Sequence, residues 1–172
     1  MKKIVYLLFL IVTVFTLCFV AFSQEEQDTA ENVVAVELSE EDVQYIAEAY
    51  FEVFKKVMDV DWHVIKSSKY LSVDFANFKT IKVDAVIPFL EQYCKDNGFE
   101  FLQYSAKELQ EKGYVGVVAI SSQDAVLKDG KVTISISKMS SSFGGNGGEY
   151  TLSKNENGEW VFENGLIWSY LV

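Results

Sequence analysis

The clearest pattern in this chain is a helical repeat of apolar residues between Glu40 and Met58. Apolar side chains recur there every three or four positions, and charged side chains fall on the opposite side. The apolar positions are Val43, Ile46, Ala47, Tyr50, Phe51, Phe54, Val57 and Met58. Ser39 stands just before the repeat as a favourable N-cap. We therefore predict an amphipathic helix whose wide aromatic stripe packs across a sheet.

Two shorter helices are predicted further along the chain. One runs from about Asp84 to Asn97, with Pro88 in its first turn and Gly98 as a left-handed stop. The other begins with the capping box of Ser105 and Glu108 and ends at Gly113.

After Tyr114 the helical pattern gives way to alternation. Val115–Ser121 and Val132–Ile136 read as strands, the second one following a tight Asp129-Gly130 hairpin turn. Phe99–Tyr104 alternates like a strand, and Tyr70–Phe75 could be a short strand or a packed loop.

The last part of the chain reads as further strands joined by turns. Tyr150–Leu152 is expected to pair with Trp160–Phe162 across Asn155–Gly158, and Asn164-Gly165 to turn into a final strand, Leu166–Val172. Helices first and strands afterwards predict an α+β fold, with N-terminal helices packed on a curved antiparallel C-terminal sheet arranged as a meander.

The first 23 residues have the pattern of an export signal. Lys2 and Lys3 form a basic head, and the 19 residues Ile4–Phe22 carry no charge. Ala21-Phe22-Ser23 then fits a signal-peptidase site, and an acidic stretch starts at Gln24. We expect cleavage after Ser23 and a periplasmic, secreted or envelope-associated protein. The alternative is an uncleaved anchor, which would be the only contact with a membrane, since the run approaches the ~20 residues of a span.

The rest of the chain divides into an acidic lead, residues 24–36, and one α+β domain, residues 37–172. The lead has neither helical nor alternating periodicity, so we expect it to be flexible. Lipid attachment at Cys18 is disfavoured, because bulky residues precede it. Cleavage leaves Cys94 as a lone cysteine, and the fold must then be stabilised by its core alone.

Charge narrows the possible partners. The chain has 25 acidic residues and 15 basic ones, and all 15 are lysines. Removing Lys2 and Lys3 leaves 13 against 25, a formal charge of −12. A nucleic-acid binder needs clustered cations to displace counterions from phosphates, so we expect no nucleic-acid partner. The missing arginines also remove the side chain best suited to bidentate phosphate recognition.

The element order resembles the cystatin-like α+β cone shared by nuclear-transport-factor-like and ketosteroid-isomerase-like domains. The likeness rests on the helix Glu40–Met58 and on the final strands, where Asn157-Gly158-Glu159-Trp160-Val161 is similar to a frequent strand start of that class. The resemblance implies that a pocket, if present, lies between the helices and the concave face of the sheet. No acid or base of the enzymatic members matches a position here, so the resemblance implies no activity.

The only histidine, His63, follows two aspartates at alternate positions, Asp59 and Asp61. In an extended segment all three side chains would point the same way and could bind a divalent cation, or a carboxylate could orient the imidazole as a base. They lack the ligand count of a zinc site and the glycine and glutamate of a calcium loop. Solvated acids at a helix end explain the same residues, so we expect no metal.

A glycine- and serine-rich stretch, Ser140–Gly148, carries Phe143 in its middle. A phosphate-binding loop would need Lys-Ser/Thr and a helix after it, and a strand follows instead. We interpret the stretch as a flexible strand connection, with a recognition loop or mobile lid around Phe143 as the alternative.

The remaining candidates are aromatic residues and one thiol. Trp62, Trp160 and Trp168 could line a ligand groove, although aromatics at strand spacing are more often core. Cys94 lies on the apolar side of its helix and is expected to be buried and inert.

These patterns predict an exported, non-catalytic domain without a cofactor. Its partner would be a protein, a peptide or a small apolar ligand, bound on the concave sheet face or the Gly/Ser stretch. The candidate binding residues are Phe143, Trp160, Trp168 and His63. The alternatives are a small-molecule enzyme of the cone type, an isomerase, dehydratase or hydrolase with Asp61 or His63 as base, and a metal-dependent surface protein.

Overall fold

The computed structural model describes residues 38–60, 65–141 and 144–171, and within them the chain forms three helices and seven strands. Helices α1, α2 and α3 are Glu40–Asp59, Val83–Asn97 and Ala106–Glu111. Strands β1 to β7 are Tyr70–Asp74, Glu100–Leu102, Val117–Ser122, Val126–Lys128, Lys131–Ser141, Gly144–Lys154 and Trp160–Leu171. The α+β fold, with N-terminal helices on a mostly antiparallel sheet, is confirmed.

The helix boundaries follow the capping residues in the sequence. The Ser39 hydroxyl accepts the backbone N–H of Asp42 at 3.1 Å and starts α1. In α3 the predicted capping box is present, since the Glu108 carboxylate accepts the N–H of Ser105 at 2.8 Å. Gly98, with a φ of +75°, ends α2 as predicted. Pro88 is the sixth residue of α2 and lies one turn deeper than the first turn where we expected it.

The sheet has a parallel part and an antiparallel part. Its strand order is β2-β1-β3-β5-β6-β7, and β4 pairs with β5 beyond the end of β3. Strand β1 is parallel to both β2 and β3, whereas the pairs β3–β5, β5–β6 and β6–β7 are antiparallel. The hairpin turn between β4 and β5 is confirmed, with Asp129 and Gly130 both at positive φ.

The predicted turn at Asn164-Gly165 is wrong, because β7 continues through it. Leu152 pairs with Phe162 and Thr151 with Asn164, so Glu163 is an extra residue in a β-bulge. Gly165 lies close to the Tyr150 ring: a Cβ there would be 3.3 Å from it, a tight contact. Asn164 and Gly165 therefore follow a bulge within one strand and do not form a turn.

The expectation of a loop over Gly144–Gly148 is also wrong. These residues form the start of β6 and pair with β5 on one side and β7 on the other. Gly147 is required there, since a Cβ would lie 2.6 Å from the Ile136 carbonyl oxygen. Residues 142 and 143, between β5 and β6, lie outside the described residues.

The core lies between the helices and one face of the sheet, here named the inner face. Helix α1 packs on β5 and β6, and α2 packs beside α1. The inner face consists of alternate apolar residues of β3, β5 and β6, namely Val118, Ile120, Val132, Ile134, Ile136, Tyr150 and Leu152. All seven are at most 1% exposed, and each buried aliphatic side chain contributes about 1.5–3 kcal/mol.

Candidate functional site

The opposite side of the sheet carries small hydroxyl residues at the alternate positions. These residues, here named the hydroxyl face, are Ser121 of β3, Thr133, Ser135 and Ser137 of β5, and Thr151 and Ser153 of β6. They are exposed or half-buried.

The hydroxyls are ordered by contacts between neighbouring strands. Thr133 Oγ1 and Thr151 Oγ1 are 2.9 Å apart, and Ser135 Oγ donates to the Glu149 carboxylate at 3.2 Å. Ser137 Oγ donates to the backbone oxygen of Ser121, also at 3.2 Å. Each contact follows from the strand register, which places the two residues opposite each other.

A depression of about 330 Å³ opens at one end of the hydroxyl face. Its polar lining consists of Asn77, Ser121, Ser122, Gln123, Ser135 and Ser137. The depression lies where β3 ends and the chain moves on to β4, next to the loop that follows β1. Its lining offers hydroxyl and amide groups, which both donate and accept hydrogen bonds and carry no charge.

The carboxylate of Asp124 fixes the rim of the depression. It accepts the backbone N–H groups of Thr80 at 2.7 Å and Ile81 at 3.0 Å. Burial by itself would raise the pKa of Asp124, but the backbone hydrogen bonds from Ile81 and Thr80 outweigh it and hold the pKa below its usual range. The charged carboxylate thereby ties the loop that carries Asn77 to the residues after β3.

The buried Ser122 connects the depression to the core. Its hydroxyl donates to Tyr50 Oη of α1 at 3.3 Å, and the Tyr50 ring packs edge-on against Phe78 at 5.3 Å. Complete burial raises the pKa of Tyr50 far above the usual range, so this phenol stays protonated. The base of the depression therefore belongs to the packed core, and we expect it to be rigid.

This lining can bind a ligand but lacks the groups for acid–base or nucleophilic catalysis. It contains no histidine, cysteine, lysine or carboxylate. Ser135 donates to the neighbouring Glu149 carboxylate, but an exposed carboxylate alone is a poor base for activating a serine hydroxyl. Across the described residues, no group of three or more His, Cys, Asp and Glu side chains is placed to hold a metal ion.

The structure gives Trp160 a packing role at the end of the sheet. Its ring lies 4.8 Å from the Tyr45 ring, and Lys154 Nζ sits 5.0 Å above it. Glu48 holds that ammonium group at 2.7 Å, and this contact is the main reason why the pKa of Glu48 is lowered. Trp160 is only half-buried, but it packs on the helix side of the sheet and does not line the depression.

The other three predicted binding residues are not brought to one site by what the structure describes. Trp168 lies in β7, where its backbone pairs with Gly147 in the same cross-strand row as Ser137 and Ser121. Phe143 and His63 lie outside the described residues, as does Asp61. Asp59 is the exposed last residue of α1.

Cys94 is buried in α2, as predicted. Burial, and to a smaller extent the nearby charge of Glu91, raises its pKa to about 12. At neutral pH the sulfur is a protonated thiol, which neither attacks electrophiles nor binds metals readily.

Sequence reasoning missed the hydroxyl face, although its signal was present. The alternation in Val132–Ile136 predicts a strand, and it also places Thr133 and Ser135 together on the side opposite the apolar residues. The same alternation places Lys138 on the inner face, and this lysine is only 1% exposed. Its ammonium group donates to the carbonyl oxygens of Val57, at 2.9 Å, and Val60, where a cation stabilises the end of α1.

The expected place for a pocket, between helices and sheet, is filled by apolar side chains where the structure describes it. The depression lies instead where β3 ends, bordering the hydroxyl face. No described helix is both long and apolar enough to cross a bilayer. Comparisons with protein-family models, with curated proteins and with solved structures found no match for this chain.

Proposed function

We propose that this chain is an exported, non-catalytic binding domain whose ligand is a neutral saccharide, bound in the depression beside the hydroxyl face. The observation that carries the proposal is the lining of that depression, in which neutral hydroxyl and amide groups predominate. Export rests on the N-terminal sequence, with its basic head, uncharged run and cleavage pattern.

The charge of the protein supports a neutral ligand. With a formal charge of −10 and no arginine, the chain repels anions, and the lining offers no cation to compensate. A small apolar ligand would remove water from the Ser121 hydroxyl and from the accepting lone pairs of Ser135 and Ser137, whose hydroxyls donate to Glu149 and to the Ser121 backbone. That loss costs about 1–3 kcal/mol for each unsatisfied group.

A saccharide fits these groups because each sugar hydroxyl also donates and accepts. Side-chain amides such as Asn77 and Gln123 can bridge two neighbouring hydroxyls of one ring. Ser137, Gly147 and Trp168 lie side by side on β5, β6 and β7. At the usual strand spacing, the backbone of Trp168 is therefore about 10 Å from that of Ser137. A protein or peptide partner would need a larger surface than this depression, about 800 Å² on each side.

An enzyme of the cone type would need a titratable group with a shifted pKa inside its pocket. The depression beside the hydroxyl face supplies none, because its lining is neutral. Binding without chemistry is therefore the function that this geometry supports best.

The test is a titration of the ¹⁵N-labelled protein with maltotriose, cellotriose and chitotriose at millimolar concentrations, the range expected for a shallow polar site. We expect amide shifts confined to Ser121, Ser135, Ser137 and their neighbours with at least one of these sugars. Ser137→Leu should abolish the shifts, because the larger side chain fills the depression.

Ser153→Leu is the matched control. Ser153 lies on the hydroxyl face outside the depression and, like Ser137, makes one side-chain hydrogen bond. Sugar-induced shifts that survive Ser137→Leu, or that scatter over the surface, would contradict the proposal. If an uncharged Gly-Ser-Asn peptide shifted the same amides and none of the three sugars did, the position of the binding site would stand but the proposed ligand class would be wrong.

A further inference from the structure

Three tyrosines, Tyr70, Tyr104 and Tyr114, form a surface cluster near the start of β1 and are here named the tyrosine cluster. The Tyr114 ring lies edge-on to the Tyr70 ring at 5.1 Å and lies 5.9 Å from the Tyr104 ring. All three side chains are half-buried, yet none of them packs against the hydrophobic core. Val115, next to them in the chain, is 80% exposed. Core packing therefore does not explain this group of rings.

Backbone hydrogen bonds fix the positions of these rings. The hydroxyl of the fully buried Ser72 accepts the N–H of Tyr104 at 2.9 Å and donates to its carbonyl oxygen at 2.8 Å. The carbonyl oxygen of Gly116, just after Tyr114, accepts the N–H groups of Lys69 and Tyr70. Rings that are held in place before a ligand arrives lower the entropic cost of binding it.

The tyrosine cluster lies on the same side of the sheet as the hydroxyl face. Leu71 and Val73 of β1 are buried in the core, so the side chain of Ser72 between them points to the other side. Tyr104, which is bonded to that side chain, therefore lies on this side too. Ser121 of the hydroxyl face lies on it as well, since the core residue Ile120 precedes it in β3.

Three half-buried apolar residues lie between the tyrosine cluster and the depression. They are here named the apolar strip: Val117, Ala119 and Met139. Val117 pairs with Tyr70, and Ala119 pairs with Met139 on the next strand. Ser121, in the lining of the depression, comes four residues after Val117, about 13 Å further along β3.

We propose that the tyrosine cluster is a second subsite on this surface, which binds the distal units of a neutral oligosaccharide whose first units lie in the depression. The inference rests on the function proposed above and extends it to a longer ligand. The distance between the two subsites exceeds the width of one sugar ring, so a ligand that occupies both is several units long. The apolar strip lies beneath the units between them.

The chemistry of a sugar ring suits both subsites. Its hydroxyl groups, at the edge of the ring, match the hydroxyl and amide lining of the depression. Its C–H bonds form apolar faces, which pack well on aromatic rings because an aromatic face carries partial negative charge. Tyrosine offers both kinds of contact, since its ring is apolar and its hydroxyl donates and accepts.

The charges around the tyrosine cluster are balanced, which suits a neutral ligand. Lys69 Nζ donates to Tyr70 Oη at 2.7 Å and lies 3.9 Å from the Glu100 carboxylate. Lys112, on the other side of the cluster, interacts electrostatically with Glu108. The Lys69 side chain is 68% exposed, so its ammonium group can also donate to sugar hydroxyls.

The test compares maltohexaose, cellohexaose and chitohexaose with the corresponding trisaccharides in titrations of the ¹⁵N-labelled protein. A hexasaccharide should shift the amides of the tyrosine cluster and of Ala119 as well as those of the depression. A trisaccharide should shift only the amides of the depression. We expect the hexasaccharide to bind more than about tenfold more tightly, beyond the ~4-fold gain that overlapping registers of a longer chain give by themselves.

Tyr114→Ala removes the ring that contacts both other tyrosines. The hexasaccharide should then bind this variant without the tenfold gain, and the affinity for the trisaccharide should stay the same. Tyr114→Phe is the matched control: it keeps the ring and should keep most of the gain.

A second variant leaves the tyrosine cluster intact. Ala119→Leu places a larger side chain on the apolar strip between the two subsites, so it should also remove the hexasaccharide gain while the trisaccharide binds as before. Ala119→Ser, which adds only one small polar atom, is its control and should bind the hexasaccharide like the parent.

The outcomes separate this inference from the proposed function. A smaller gain, or a gain that survives both Tyr114→Ala and Ala119→Leu, would overturn the second subsite alone. If no sugar shifted the amides of the depression, the proposed function would be wrong and this inference with it. If tetraproline shifted the amides of the tyrosine cluster and no hexasaccharide did, the cluster would recognise an extended peptide, and the inference would again be wrong.

Discussion

The two sides of strand β5 make opposite contributions to this molecule. Val132, Ile134 and Ile136 are buried under α1, whereas Thr133 and Ser135 alternate with them on the hydroxyl face. One side is apolar and closely packed, and the other is polar and accessible. Because side chains alternate along a strand, binding groups can be placed beside core groups without entering the core.

The difference between the two sides is smaller in β6, where a glycine takes a position on the hydroxyl side. Gly147 lies opposite Ser137 on the hydroxyl side, yet the structure leaves no room there for a Cβ. Gly147 is itself buried, so a position on the hydroxyl side does not by itself tolerate substitution. The predictions below compare the two sides.

The largest effect is expected for Ile134→Ala. This side chain is fully buried, and its truncation should lower the free energy of unfolding by about 3 kcal/mol through lost burial and a residual cavity. Ser135→Ala, the next residue on the other side of β5, should change it by less than about 0.5 kcal/mol. Urea denaturation measures both, and similar losses would show that the two sides do not differ as described.

Gly147→Ala should come next and breaks the simple rule that the hydroxyl side is tolerant. The new Cβ would lie 2.6 Å from the Ile136 carbonyl oxygen, so the backbones of β5 and β6 must move apart. We expect a loss of about 2 kcal/mol in the free energy of unfolding. Ser153→Ala is the control on the same face, and an equal, small effect of both variants would mean that the strands separate easily.

A smaller, pH-dependent effect is expected for Asp124→Asn. The pKa of Asp124 is lowered in the folded protein, so its stabilisation is complete above the unfolded value of about 3.9 and is lost as the pH falls through the folded value. The variant should be less stable by about 1 kcal/mol at pH 7. Near pH 2 the difference should shrink, since the parent carboxyl is then also neutral.

Urea denaturation of parent and variant at several pH values checks this prediction. The comparison is needed because the pKa values of Glu48, Glu108 and Glu163 are lowered too and contribute to acid destabilisation in both proteins. A stability difference that stays constant with pH would mean that the charge of Asp124 does not hold the rim.

An effect on stability no larger than that of Asp124→Asn is expected at Cys94, which is buried in the core beneath α2. Cys94→Ala should cost about 1 kcal/mol. With a pKa of about 12 and a buried sulfur, the thiol should react with iodoacetamide at pH 8 at least about a hundredfold more slowly in the native state than in urea. Rapid labelling of the native protein would show that the packing around Cys94 opens and exposes the thiol to the reagent.

Local sequence rules predicted much of this fold. The cap at Ser39, the capping box at Ser105 and the Asp129-Gly130 turn are each decided by a few neighbouring residues, and all three are confirmed. The turn predicted at Asn164-Gly165 is wrong, because the same dipeptide can also follow a bulge within a strand. The contact of Gly165 with Tyr150, which the local sequence does not show, belongs to the strand. The loop expected at Gly144–Gly148 is wrong, because these residues pair with a strand on each side despite a composition that is typical of loops.

The candidate site was less predictable than the fold. Asn77, Ser121 and Ser135 are far apart in the chain, and only the register of β3 with β5 and the position of the loop after β1 bring them together. Periodicity could have shown that β5 alternates short hydroxyls with core residues. The periodicity of one strand contains no information on which strand pairs with it, so the depression could not be predicted from the sequence.

The parallel pairing of β1 sets an order on how the sheet can assemble. Strands β5, β6 and β7 meet through short connections, and such local contacts form early in folding. Strand β1 cannot pair until both of its neighbours are available. These neighbours lie well after it in the chain, since β2 begins at Glu100 and β3 at Val117. If the chain is exported N-terminus first, as proposed, it cannot complete the β1 side of its sheet until residues up to Ser122 have crossed the membrane.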